Sequence, residues 1–144
     1  MQILLSVDGS DGALEAVRHG VRLLHDGLRV RFVLANVQEP ASLYEVVVAH
    51  DAQVLEDVSA AAAEHALSAA QALLRAAGAE FETEAVSGDP GHMLIDIAER
   101  FACDMVVMGA RGVGDPQSRA ALGSVATAVL HAAAVPVTIV RDEG

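Results

Sequence analysis

The feature that most constrains this chain is the alternation of short apolar runs with longer amphipathic stretches. Gln2 to Val7, Val30 to Val37, Met105 to Met108 and Pro136 to Val140 are apolar runs too short for ordinary helices. Between them, apolar residues recur three and four positions apart, which is the spacing of one helix face. Leu14, Val17, Val21 and Leu24 follow the first run. A long Ala-rich stretch from about Asp51 to Ala77 carries Leu55, Val58, Ala62, Ala69 and Leu73, and Gly78 ends it where a C′ glycine would sit. Leu94, Ile97, Ala98 and Phe101 form a third stripe, and Ala126, Val129 and Leu130 are expected to face inward from a fourth. Glu80 to Ser87 instead alternates, with Phe81, Thr83, Ala85 and then Val86, as a strand nearer a sheet edge would. Strands separated by helices pair in parallel through right-handed crossovers. The expected fold is therefore α/β, a five-stranded, mostly parallel, doubly wound sheet with helices on both faces.

Turn residues punctuate this order. Asp8-Gly9-Ser10-Asp11-Gly12 closes the first run, with Ser10 or Asp11 placed to cap the helix that follows. Gln38-Glu39-Pro40 closes the second, and residues 38 to 50 have no clear period, which predicts a loop with a turn of helix. Asp89 as N-cap and Pro90 at the first helical position start the third helix. In parallel sheets ligands sit beyond the carboxyl ends of the strands, where strand order reverses. The turns that would meet there are the Asp8 turn and the glycine-rich segment Gly109-Ala110-Arg111-Gly112-Val113-Gly114-Asp115-Pro116.

Composition narrows the function. The 144 residues make one domain, 1–144, long enough to bury about 70% of the unfolded surface. Hydrophobic residues make up 53% and aromatics 3%, so the core is built from small aliphatic contacts. The formal charge is −11, and all nine basic residues are Arg. Without Lys there is no Schiff-base lysine and no GxxxxGK[ST] phosphate loop. An acidic surface disfavours nucleic acid and anionic membranes as partners, whose binding needs clustered cations. A small nucleotide stays open, because backbone amides can hold phosphate without net positive charge.

Cys103 is the sole cysteine, which excludes an internal disulfide and fits a reducing, cytoplasmic compartment, with a buried thiol as its plain role. The first residues read as a buried strand rather than a signal peptide, and no apolar run reaches the ~18 residues of a membrane span. His19, His25, His50, His65, His92 and His131 show no HxxxH or HExxH spacing, so no metal site is expected.

A glycine-rich loop leading from a strand into a helix start gathers unpaired amides and the positive end of a helix dipole. Gly109 and Gly112 would let the chain approach a ligand, and Gly123-Ser124 would add two amides and a hydroxyl. Arg111 and Arg119 add charge and Asp115 subtracts some. The plainer reading is a tight turn with Ser124 capping its helix.

The segment Asp104-Met-Val-Val-Met-Gly-Ala-Arg-Gly112, then Gly123-Ser124-Val125 and Val135-Pro136-Val137, together with the opening Leu5-Ser6-Val7-Asp8-Gly9-Ser10, resembles the universal stress protein family over nearly the whole chain. The resemblance implies a Rossmann-like sheet in the order 3-2-1-4-5 and an adenine-nucleotide-binding regulatory protein of the stress response that acts through partner interactions. It implies ATP or AMP as ligand, with Mg²⁺ where a polyphosphate is bound. Asp8 then matches the family's adenine-binding aspartate, beside Val7, although a turn cap in Asp-Gly-Ser accounts for it too. Val37 matches the residue whose backbone meets the ring, and core packing accounts for it equally. Met108 and Gly109 would border the ribose, with Arg111, Gly112, Gly123, Ser124 and Val125 around the phosphates.

In the nucleotide-binding branch nine residues separate the second and third glycines of the motif. Here ten, residues 113 to 122, separate Gly112 from Gly123, and Asp115-Pro116 falls within them. The competing reading is a dimeric interaction module of the same fold that binds no nucleotide. Ser124 has no evident base, so enzyme activity is at most weak ATP hydrolysis. The resemblance also implies a homodimer through the last strand, residues 136–140, whose apolar edge invites pairing.

Overall fold

A computed structural model describes residues 1–39, 52–112 and 122–141. Among these residues nine elements alternate as the sequence predicts: β1 (Gln2–Ser6), α1 (Asp11–His25), β2 (Arg31–Gln38), α2 (Ala52–Ala76), β3 (Phe81–Ser87), α3 (Pro90–Arg100), β4 (Met105–Gly109), α4 (Ser124–Ala132) and β5 (Val137–Val140). The five strands form one sheet in the order β3-β2-β1-β4-β5, and every pair is parallel. β1 sits at the centre, with Ile3 opposite Phe32 on one side and Met105 on the other. The chain first winds outward through β2 and β3, then returns to β4 beside β1. Strand order therefore reverses between β1 and β4.

Period-2 alternation divides the central strands between two cores. Ile3, Leu5, Val7, Phe32, Leu34 and Val107 pack under α1 and α2. Leu4, Val33, Ala35, Val106 and Met108 pack under α3 and α4. With both faces covered, the middles of β1, β2 and β4 are mostly apolar, which is why they read as continuous runs. β3 lies at an edge, as its alternation predicts, and β5 lies at the other. Among the described residues no helix is long and apolar enough to cross a membrane.

Three helix faces differ from the expectation. In α1 the buried residues are Gly12, Ala13, Ala16, Val17 and Gly20, while Leu14, Val21 and Leu24 flank them half-buried. The small side is innermost because α1 lies close on the sheet: a Cβ on Gly20 would stand 2.9 Å from Phe32 Cε1. In α2 the buried face is Ala63, Ala66, Leu67, Ala70 and Leu74, with Ala62 and Leu73 half-buried and Ala69 exposed. In an Ala-rich helix neighbouring registers differ little in hydrophobicity, and Leu67 and Leu74 set the one that packs best. The side chains of Leu55 and Val58 lie outside the described residues. In α4 Ala126 and Val129 are buried as expected, but Leu130 is 42% exposed. The helix spans nine residues and offers the sheet a narrow face.

Candidate functional site

The carboxyl ends of β1, β2 and β4 open into a cleft of about 450 Å³ at the strand-order reversal. Of the sequence-predicted residues, Val7, Asp8, Val37, Met108, Gly109, Arg111, Gly112, Ser124 and Val125 line it. Gly123 does not line it. Its amide, expected to be a free donor, is spent on the Ala110 carbonyl at 2.7 Å. That bond brings the start of α4 back to the end of β4. Asp115, Pro116 and Arg119, on which the expectations about loop spacing and charge rest, lie outside the described residues, as does most of the segment from 38 to 50.

On the β1/β2 side, Asp8 acts in the turn. Its Oδ1 accepts from the Ser10 amide at 2.9 Å and the Ser10 hydroxyl at 2.6 Å. Ser10 Oγ in turn accepts from the Ala13 amide at 3.2 Å, capping α1. The turn-capping reading of Asp8 is thus met, and the same bonds hold its carboxylate at the cleft wall. Val37 packs against the α3/α4 core, as the plainer reading expects, and also lines the cleft. Sequence reasoning passed over Asn36 and Gln38. Asn36 Nδ2 donates to the Val7 carbonyl at 2.8 Å, and Gln38 Nε2 donates to Asn36 Oδ1 at 2.7 Å. The signal was present: a carboxamide inside an apolar strand has to find partners if it is buried.

Three helices begin at this cleft, and their caps differ. α1 is capped by the Ser10 hydroxyl. α3 is capped by Asp89, whose Oδ2 accepts from the His92 amide at 2.9 Å. α4 has Gly123 at its N-cap and no side-chain cap bond. Ser124 is therefore the first helical residue rather than the cap. An α-helix leaves its first amides without helical partners, and an uncapped start concentrates their partial positive charge. Here that start, Ser124 to Ala126, opens onto the cleft.

Gly109 has a reason in the fold as well as the one inferred from its motif. A Cβ there would lie 3.0 Å from both C and O of Gly12, and one on Gly12 would lie 3.3 Å from the Arg111 carbonyl. The Asp8 turn and the glycine loop thus meet backbone to backbone, which closes the floor of the cleft. Among the described residues, Asp8, Glu39 and Arg111 are the charged ones in its wall. Among the described residues no group of three or more His, Cys, Asp or Glu is placed to hold a metal. Cys103 is buried away from the cleft, before the start of β4. Burial, and secondarily the Asp104 carboxylate, push its thiol from an ordinary 9.0 up to about 11.

The sequence model of the universal stress protein family matches residues 1–141. The chain belongs to that family. It is 25% identical over 140 residues to universal stress protein MJ0531 of Methanocaldococcus jannaschii, covering 97% of this chain and 81% of that one. It is similar to universal stress protein UspA of Lactobacillus plantarum, with TM-score 0.78 and 28% identity over 98% of this chain and 97% of that one. It is also similar to a universal stress protein solved in complex with cAMP, with TM-score 0.66 and 25% identity over 98% and 96% of the two chains.

Proposed function

We propose that the cleft binds an adenine nucleotide, ATP or AMP, and that its occupancy biases the interactions of a cytoplasmic stress-response regulator. The observation that carries this reading is the start of α4, which no side chain among the described residues caps, in the same cleft as the Asp8 carboxylate. Backbone amides and Arg111 suit the phosphates, and a carboxylate suits the exocyclic amine of adenine. A cleft of about 450 Å³ lies in the range of small-molecule sites. The cAMP complex of a family relative supports the same ligand class. Mg²⁺, where present, would arrive on a polyphosphate, and turnover is at most slow hydrolysis assisted by that ion.

The chain is further proposed to form a homodimer through β5. That strand is a sheet edge with half-buried Val137 and Ile139, whereas the opposite edge, β3, is rich in Glu and Thr.

Calorimetry and thermal shift with ATP, ADP and AMP test the nucleotide reading, with saturable stabilisation expected. No response at millimolar nucleotide, together with an ultraviolet spectrum free of copurified nucleotide, favours the second reading. That second reading is a dimeric interaction module of the same fold that binds no nucleotide.

A further inference from the structure

Asn36 is the one buried polar side chain among the described residues, 1% exposed. It heads a short chain of hydrogen bonds whose polarity is forced. The Val7 carbonyl can only accept, so Asn36 must turn its nitrogen toward it, 2.8 Å away. The Asn36 oxygen is then left for Gln38. An oxygen can only accept, so Gln38 must present its own nitrogen, 2.7 Å away. A carboxamide on a protein surface can exchange its O and N by a half-turn. Neither of these can do so without setting two acceptors against each other in a site sheltered from water, where an unmatched pair is costly.

The consequence falls on Gln38, which lines the cleft beside Val37 and on the same side as Asp8. One of its amide hydrogens is committed to Asn36, and what remains is an acceptor oxygen and a second hydrogen. That pair, in fixed order, matches the amine and neighbouring ring nitrogen along the edge of a 6-aminopurine. A 6-oxopurine inverts the polarity at position six. Gln38 could follow that inversion only by turning over, which would break its bond to Asn36.

We infer that Gln38, locked by Asn36, makes the cleft prefer a 6-aminopurine nucleotide over a 6-oxopurine one. The inference rests on the nucleotide reading above, with the base on the β1/β2 side and the phosphates at the start of α4. Gln38 contacts the base, and Asn36 is a positioning residue.

The test is calorimetric titration of the full chain with AMP, inosine monophosphate and ribose 5-phosphate. The parent protein is expected to favour AMP over inosine monophosphate by about tenfold or more, within the range of a bidentate carboxamide contact. Gln38→Met should lower that ratio severalfold by weakening AMP, with Asp8 keeping the remainder, and leave ribose 5-phosphate binding unmoved; the melting temperature should fall, because the buried Asn36 oxygen loses its donor. In the ¹⁵N-labelled parent, the Asn36 and Gln38 side-chain amide signals should shift with AMP and stay in place with ribose 5-phosphate. A parent ratio near one, a ratio unchanged by Gln38→Met, or amide signals indifferent to AMP overturns the inference while leaving the nucleotide reading standing. Failure of the parent to bind AMP at all overturns both.

Discussion

Asp8 serves the fold through its turn, and the proposed function gives the same side chain a ligand. Its Oδ1 already receives two donors from Ser10, so Asp8→Ala should cost about 1 kcal/mol of stability through the loosened turn. It should also weaken AMP by about tenfold, the scale of a hydrogen bond to a charged group. Urea titration and calorimetry separate the two effects. Gly109 makes a similar point in reverse, because its missing side chain is needed where the chain meets Gly12. Gly109→Ala should destabilise the protein by about 1–3 kcal/mol even without ligand. Equal urea midpoints for variant and parent would refute that reason for the glycine. Cys103 predicts a pH effect. The folded chain keeps the thiol proton up to about pH 11, while an unfolded thiol releases it near 9.0. Protons bound by the folded state in that window make stability fall as pH rises through it. Cys103→Ala should flatten this part of the profile in urea titrations made on either side of pH 9. Below pH 9 the two proteins should show the same pH dependence.

Of the three helices whose starts are described, α4 is the one without a side-chain cap. α1 and α3 carry their own caps in Ser10 and Asp89, and both were legible because Ser and Asp stand where a helix pattern begins. The bare cap of α4 was not legible, since Gly123-Ser124 could be divided between cap and first turn in two ways. Gly123 has φ −66° and ψ 165°, backbone that any residue adopts. Gly123→Asp should therefore supply the missing cap, raising apo stability by a few tenths of a kcal/mol. Its carboxylate would occupy the amides and repel phosphate, so AMP affinity should fall by about tenfold while adenosine is little affected. Thermal unfolding and calorimetry check both halves. The helix registers show where periodicity stops informing. α3 has a strong Leu and Ile stripe and packs as its spacing predicts, whereas Ala-rich α2 turns about one position from the reading made of it.

At the scale of the whole molecule, strand order gathers residues from five distant parts of the chain into one cleft: Asp8, Asn36 to Gln38, Pro90 and Leu94, Gly109 to Gly112, and Ser124 to Ala126. It also leaves β5 at an edge. The carbonyls of Pro136 and Val140 accept from the Val106 and Ala110 amides of the β4 side, so alternation turns the Ile139 amide outward. If pairing through this edge makes the dimer, light scattering at micromolar concentration should report twice the chain mass, and Ile139→Pro should halve it while circular dichroism keeps its α/β shape. The alternation of short apolar runs with amphipathic stretches was enough to determine the α/β class, the parallel sheet and the two turns that meet at its reversal point. These follow from local periodicity and from the need to cover both faces of a buried sheet. Tertiary structure decided which faces of α1 and α2 pack inward, that Gly109 answers to Gly12, that the Gly123 amide is spent on Ala110, and that Asn36 is locked between Val7 and Gln38. Each depends on atoms far apart in the chain coming within hydrogen-bond or van der Waals distance, and no local pattern encodes a contact made across the sheet.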